Sequence, residues 1–211
     1  QAVYRERREE RGRLWRFFSI EVPKAVGRAQ SELVLAAIVF AVAVAIGALS
    51  AAHDPGFTRL ILGERYVNMT LENIQQGDPL GVYKEAHALD MFMGIAVNNV
   101  RVAFRTFAMG LLLSVGTGYM LVQNGIMLGA FHTLFAQHQL LAKSLLVVYV
   151  HGTLEISAII IAGAAGFVFG NGLLFPGTLP RRESFTRAAR QGSKIVVGLV
   201  PVFLFAAFLE G

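Results

Sequence analysis

The chain has 211 residues, 55% hydrophobic and 16% charged, with a net charge of +5. Soluble domains carry about 25% charged and 45–50% apolar residues, so the composition argues against an ordinary soluble domain. There is no cysteine, which excludes disulfides, thiolate metal sites and cysteine nucleophiles. The mean hydropathy is +0.55, and the apolar excess is gathered into long blocks. The expected fold is all-α: a polytopic transmembrane helical bundle of about five spans, with an extracytoplasmic amphipathic segment.

Residues 1–32 are basic, with Arg5, Arg7, Arg8, Arg11, Arg13, Arg16, Lys24 and Arg28. Trp15, Phe17 and Phe18 lie among them at a spacing that suits an amphipathic helix on a membrane surface. Because Lys and Arg mark cytoplasmic segments, this arm is expected to be a juxtamembrane helix with the N-terminus in the cytoplasm. The chain opens without a methionine, and sequence upstream of it is expected. Residues 33–52 carry no charge and no proline, and meet the length of about 20 apolar residues that a bilayer span needs. This first span is expected to close at His53-Asp54-Pro55-Gly56, where Pro and Gly cannot continue it. In residues 57–88, Leu60, Ile61, Tyr66, Val67, Leu71 and Ile74 recur at helical spacing in a polar setting. This predicts one or two amphipathic helices, split at Gly77-Asp78-Pro79.

The next apolar tract predicts two spans, 91–115 and 118–136, with a break near Gly116-Thr117-Gly118. A polar connection at 137–144 leads to a span at 145–172. A basic connection at 176–194 leads to a last span at 195–209, and residues 33–211 are taken as one transmembrane domain. Charge supports this count. The 176–194 connection holds Arg181, Arg182, Arg187, Arg190 and Lys194, whereas 57–88 holds only Arg59, Arg65 and Lys84, and 137–144 only Lys143. Five spans starting inside place both basic-rich segments in the cytoplasm, as the positive-inside rule requires; four or six do not.

The most informative polar feature is His151-Gly152-Thr153-Leu154-Glu155, with His and Glu four apart on one helix face. Ionisable groups within a membrane are costly and usually face the protein or a water cavity. The pair can serve a proton relay, a metal half-site or a substrate contact, or it can simply fix helix packing. Arg101 and Arg105, also four apart, can hold an anionic head group, pair with Glu155, or snorkel to an interface. Asn98 and Asn99 precede them and complete the candidate intramembrane polar site. His132 and His138 are further metal candidates. With His132, His151 and Glu155 as the weak set, zinc would need more converging ligands, and no cofactor is expected. Gly125 with Gly129, and Ala162, Gly166 and Gly170, are small residues four apart, which lets helix backbones approach closely and favours a tight bundle or a homodimer. Neither Ser114 nor Ser157 has the surroundings of a nucleophile. No phosphate or dinucleotide fingerprint is present.

Several of these residues form an ordered set. Asn98-Asn99, Gly110, Gly116-Thr117, Asn124-Gly125 and Gly129, then His151-Gly152-x-x-Glu155, then Ala162-Gly163-Ala164-Ala165-Gly166 with Gly170, resemble the stage II sporulation protein M family. Glu210-Gly211 matches an acidic position of that family near a membrane end, beyond which its members usually continue. The resemblance is good over residues 92–211 and loose before them. It implies a bacterial inner-membrane protein. The founding member acts with a peptidoglycan-hydrolysing partner and a third membrane-anchored protein during engulfment. Many relatives are encoded beside a MoxR-type ATPase and von Willebrand factor A-like proteins in organisms that make no spores. The resemblance implies neither sporulation nor an enzymatic activity.

The reading that follows is a non-enzymatic inner-membrane protein that scaffolds or regulates an envelope- or peptidoglycan-remodelling complex. Its expected partners are the lipid bilayer, envelope proteins or a MoxR-type ATPase system, and not nucleic acid. The alternative is a transporter, flippase or channel-like protein with a polar site at His151 and Glu155. The two separate on geometry: in the second, His151, Glu155, Arg101 and Arg105 converge on a water-accessible cavity.

Overall fold

The computed structural model describes residues 12–76 and 88–210; for residues 88–93, 95, 96, 147–151, 209 and 210 it describes the backbone alone. Every regular element among them is helical. A short α1 (Arg13–Arg16) passes through a widened turn (Phe17–Glu21) into α2 (Val22–Gly27), and α3 (Gln30–His53) follows. Two short helices come next, α4 (Pro55–Leu62) and α5 (Glu64–Gln75). The remaining helices are α6 (Ala88–Ala108), α7 (Val115–Gln137), α8 (Leu141–Leu174) and α9 (Arg181–Glu210), with one tight turn of helix at Met109–Leu111.

The exposed surface of α3 identifies its solvent. Ala36, Phe40, Ala43, Gly47 and Ala51 form one buried stripe, while Val34, Leu35, Ile38, Val42, Ile46 and Leu49 stand exposed on the other faces. A contiguous apolar surface of this kind belongs against lipid or a partner. Among the described residues, three helical stretches are long and apolar enough to cross a membrane: Gln30–His53, Gly152–Leu174 and Arg181–Phe208. The segments 91–115 and 118–136, expected as spans, fall on helices α6 and α7, of 21 and 23 residues, which are not among those three. Their sequences are more polar: Asn98, Asn99, Arg101 and Arg105 interrupt α6, and Gln123, Asn124 and His132 interrupt α7.

The contacts give the five long helices consistent directions. α3 and α7 run parallel: Gly125 sits against Phe40 and Ala43, Gly129 against Val44 and Ala48, and Gln137 Nε2 donates to the Ala51 carbonyl at 3.3 Å. α8 runs antiparallel to α3, with Asn171 Nδ2 donating to Glu32 Oε1 at 3.3 Å and Phe167 and Ala164 packed with Ala36 and Phe40. α9 returns along α8, where Gly172 meets Ala188 and Gly192 meets Ala165. The core is built from small residues: Ala103, Ala158 and Ala162 close on Leu199 and Phe203.

Several boundaries differ from those read in the sequence. The break between α6 and α7 falls at Leu112–Ser114, where Leu113 (φ 54°) and Ser114 (φ 66°) take left-handed conformations. Gly116 and Thr117 are needed inside α7 for contact, since Thr117 Oγ1 donates to the Thr106 carbonyl at 2.8 Å. The basic connection is mostly helix. α9 begins at Arg181, because Ser184 Oγ donates to the Gly172 carbonyl at 2.8 Å and seats its first turn on α8. Pro55 ends α3 but also starts α4 as a first-turn proline, with Asp54 accepting from the Gly56 N–H at 2.8 Å. The amphipathic segment is divided at Gly63 (φ 88°); the split expected at Gly77-Asp78-Pro79 lies outside the described residues.

Candidate functional site

The inner ends of α6 and α7 are pinned. Besides the Thr117–Thr106 hydrogen bond, the Ser114 N–H donates to the Gly110 carbonyl at 3.1 Å, and Gly110 lies directly on Gly166 of α8. Towards the other end the two helices part. The gap is a cavity of roughly 730 Å³, floored by Ile156 and Ile159 of α8 and by Phe40, with Leu60 and Ile61 of α4 at its mouth. That volume lies in the ordinary range for small-molecule sites, about 300–1,000 Å³.

The cavity collects polar groups. Asn98, Asn99 and Arg105 reach it from α6, and Glu155 from α8. Asn99 is 9% exposed and donates from Nδ2 to Glu155 Oε1. A buried amide and a half-buried carboxyl each gain from such a partner, so this bond ties α6 to α8 beside the cavity. Both arginines are exposed; Arg105 lines the cavity, and Arg101, one turn away, does not. Neither arginine makes an ion pair or hydrogen bond with a described residue, and the pairing with Glu155 considered from the sequence is replaced by the Asn99 bond. His151 belongs to α8 by its backbone, but its side chain lies outside the described residues.

The small residues singled out in the sequence all sit at helix crossings. A methyl group on Gly125 would stand 2.7 Å from Ala43 Cβ, one on Gly129 would stand 2.6 Å from the Ala48 nitrogen, and one on Gly170 would stand 2.7 Å from the Gly110 carbonyl oxygen. Gly166 faces Thr117 and Thr106, and Ala162 is fully buried. Among the described residues no three metal-ligating side chains converge. His138 Nδ1 is 2.9 Å from the Leu134 carbonyl of its own helix, and His132 is placed on α7 away from the cavity lining.

Sequence reasoning missed the contribution of α7. Tyr119, Gln123 and Asn124 line the cavity opposite α6, and Tyr119 and Gln123 are exposed. Their spacing of four in an apolar tract was the available signal. Also missed was the link between the N-terminal helices and α9, where Lys194 Nζ lies 2.5 Å from Glu21 Oε2, Val22 packs on Gly198 and Gln191 Nε2 donates to the Ala25 carbonyl at 3.1 Å.

The family model for stage II sporulation protein M matches residues 36–211. No curated protein and no solved structure matches the chain.

Proposed function

Because the chain belongs to the stage II sporulation protein M family, we propose that it is a non-enzymatic, five-span protein of the bacterial inner membrane that scaffolds or regulates an envelope- or peptidoglycan-remodelling complex. The observation that supports this reading is the docking of α2 on α9. Glu21–Lys194, Val22–Gly198 and Gln191–Ala25 hold the basic N-terminal helix against the middle of α9. Arg181 and Arg182 begin α9 at the end of the bundle from which α3 also starts, and Leu14 and Trp15 stand exposed beside Arg13 and Arg16. A rigid basic platform with an exposed aromatic suits a protein or ATPase partner at the cytoplasmic face, because Trp and Arg are enriched where partners anchor. The directions of α3, α6, α7, α8 and α9 put this end inside when the N-terminus is cytoplasmic.

The test is crosslinking in cells followed by purification of the full chain, with Arg181, Arg182 and Trp15 replaced by Gln, Gln and Ala. An envelope protein or ATPase captured by the unaltered chain and lost from the variant supports the reading. Equal capture by both sinks the platform, and capture of neither kind of protein sinks the scaffold.

A second reading is favoured by the cavity. Glu155, Asn98, Asn99 and Arg105 meet in one space level with the apolar part of the bundle, as a transporter, flippase or channel-like protein requires. Glutamine at Glu155 keeps an acceptor for Asn99 but removes the charge, so altered solute or lipid movement in vesicles carrying Glu155→Gln supports this second reading. Unaltered movement removes it.

A further inference from the structure

The cavity is lined by one cation, Arg105, that no described residue pairs. Phe40 lies near the middle of the 24-residue α3 and packs with Leu121 and Ala164. Thr106 is tied to Thr117, one turn from Leu121 on α7. Gly125, eight residues beyond Thr117, is the part of α7 that meets Phe40 and Ala43, so the backbone of Arg105 lies about 10 Å from the middle of α3, towards its start but within its apolar length. A guanidinium at that depth is expensive unless it meets water, an acid or another anion. Glu155 is engaged by Asn99, and no described residue pairs with Arg105.

The surroundings of Arg105 say what kind of anion fits. The guanidinium is a planar fork of donors that matches a phosphate in two-point contact. Tyr119 and Gln123 stand across the cleft on α7 and add a hydroxyl and an amide. Beyond them the lining becomes apolar and faces outward, at Val122 and Met127, which are 37% and 47% exposed. A polar side with a single cation, continuous with an exposed apolar side, is the shape of a site for an amphiphile rather than for a free ion.

We propose that the α6–α7 cleft binds a phospholipid of the surrounding bilayer, with its phosphate on Arg105 and its chains along Val122 and Met127. This rests on the second reading above, that the polar cavity handles a ligand within the membrane.

The experiment uses the full chain in phosphatidylcholine vesicles with a trace of photoactivatable phosphatidylglycerol, and a diacylglycerol bearing the same probe but no phosphate. Mass spectrometry of the irradiated protein locates and counts the adducts. The unaltered chain is expected to give phosphatidylglycerol adducts on α7 between Tyr119 and Met127. Loss of a charge-assisted contact predicts that Arg105→Gln lowers their yield about tenfold or more, while Arg105→Lys, which keeps the charge, retains most of it. Absence of cleft adducts in the unaltered chain overturns the proposal. So does displacement of the adducts by millimolar inorganic phosphate, which would make the ligand a free anion.

A third variant, Val102→Trp, fills the cleft and separates the two readings. If it removes the adducts of both probes while Arg105→Gln changes nothing, a lipid enters the cleft but its phosphate is not read. The proposal then fails and the membrane-level site survives. If Val102→Trp also changes nothing, both fail.

Discussion

α7 has two opposite faces, and they have opposite fates. On one, Gly125 and Gly129 press into α3 at backbone distance, with Thr133 Oγ1 closing the end on the Ala48 carbonyl at 3.2 Å. On the other, Tyr119, Gln123 and Met127 face a cleft that α6 does not fill. Within a bilayer there is little hydrophobic drive between helices, so association depends on close packing and hydrogen bonds. Small residues supply the close packing; large polar ones prevent it and leave room for something else. The contrast between seam and cleft is thus written in side-chain size, along a single helix.

The sharpest way to break this comparison is to put the same leucine on both faces. Gly129→Leu drives a side chain into the Ala48 backbone, and overpacking of this severity costs about 3 kcal/mol or more. It is expected to abolish monodisperse protein in mild detergent or to lower the thermal midpoint sharply. Gln123→Leu on the open face changes stability by less than about 0.5 kcal/mol, as surface substitutions usually do. Equal midpoints for the two variants would show that the seam is not the tight contact described here.

Next in size is the tie across the cleft. Glu155→Ala leaves the Asn99 amide buried without its acceptor, a loss of about 1–3 kcal/mol, readable in the thermal midpoint. Glu155→Gln keeps an acceptor and is expected to lose less than half as much. If both variants match the unaltered chain, α6 is held to α8 by Ala103 and its neighbours alone. At the mouth of the cleft, Gly63 joins α4 to α5 with φ 88° and ψ 140°, a conformation open essentially only to glycine. Gly63→Ala is expected to cost about 1–3 kcal/mol of local strain, seen as faster hydrogen exchange in α4 and α5 with the α3–α7 seam unchanged.

The smallest effect belongs to the far end of the bundle. The carboxyl of Glu21 is held below its ordinary value by the hydrogen bond from Lys194 and then by the charge of the same ammonium. A group with a lowered folded-state pKa contributes above its unfolded value and loses that contribution as the pH falls through the folded value. Docking of α2 on α9 is therefore expected to be constant around neutrality and to loosen only below the usual carboxylate range. Protease accessibility of residues 12–29 at falling pH measures it. Lys194→Gln should remove the pH dependence, and an unchanged profile in that variant would assign the docking to Val22 and Gly198.

Much of this was legible in residue order. The uninterrupted run of residues 33–52, the absence of cysteine, the glycine pairs and the His151–Glu155 spacing led to an all-helical membrane protein and to a polar site on α8. Glu155 and Asn99 were both named from sequence, because polar residues in apolar tracts stand out. Their pairing was not, since sequence spacing relates residues on one helix and says nothing of which helix lies alongside. The break before α7 was placed one turn late for a related reason. Gly116 looks like a helix breaker in isolation, but its missing side chain lets α7 lie on Met109.

Sequence by itself therefore determined the solvent, the helices and the small-residue stripes, because those follow from local composition and from the 3.6-residue period. Only the tertiary structure decided which polar residues share a cavity and which arginine enters it. Arg101 and Arg105 are equivalent in sequence, four apart on one face. The rotation of α6 against α7 and α8 turns one towards the cleft and leaves the other outside it, and that rotation is set by contacts between residues far apart in the chain.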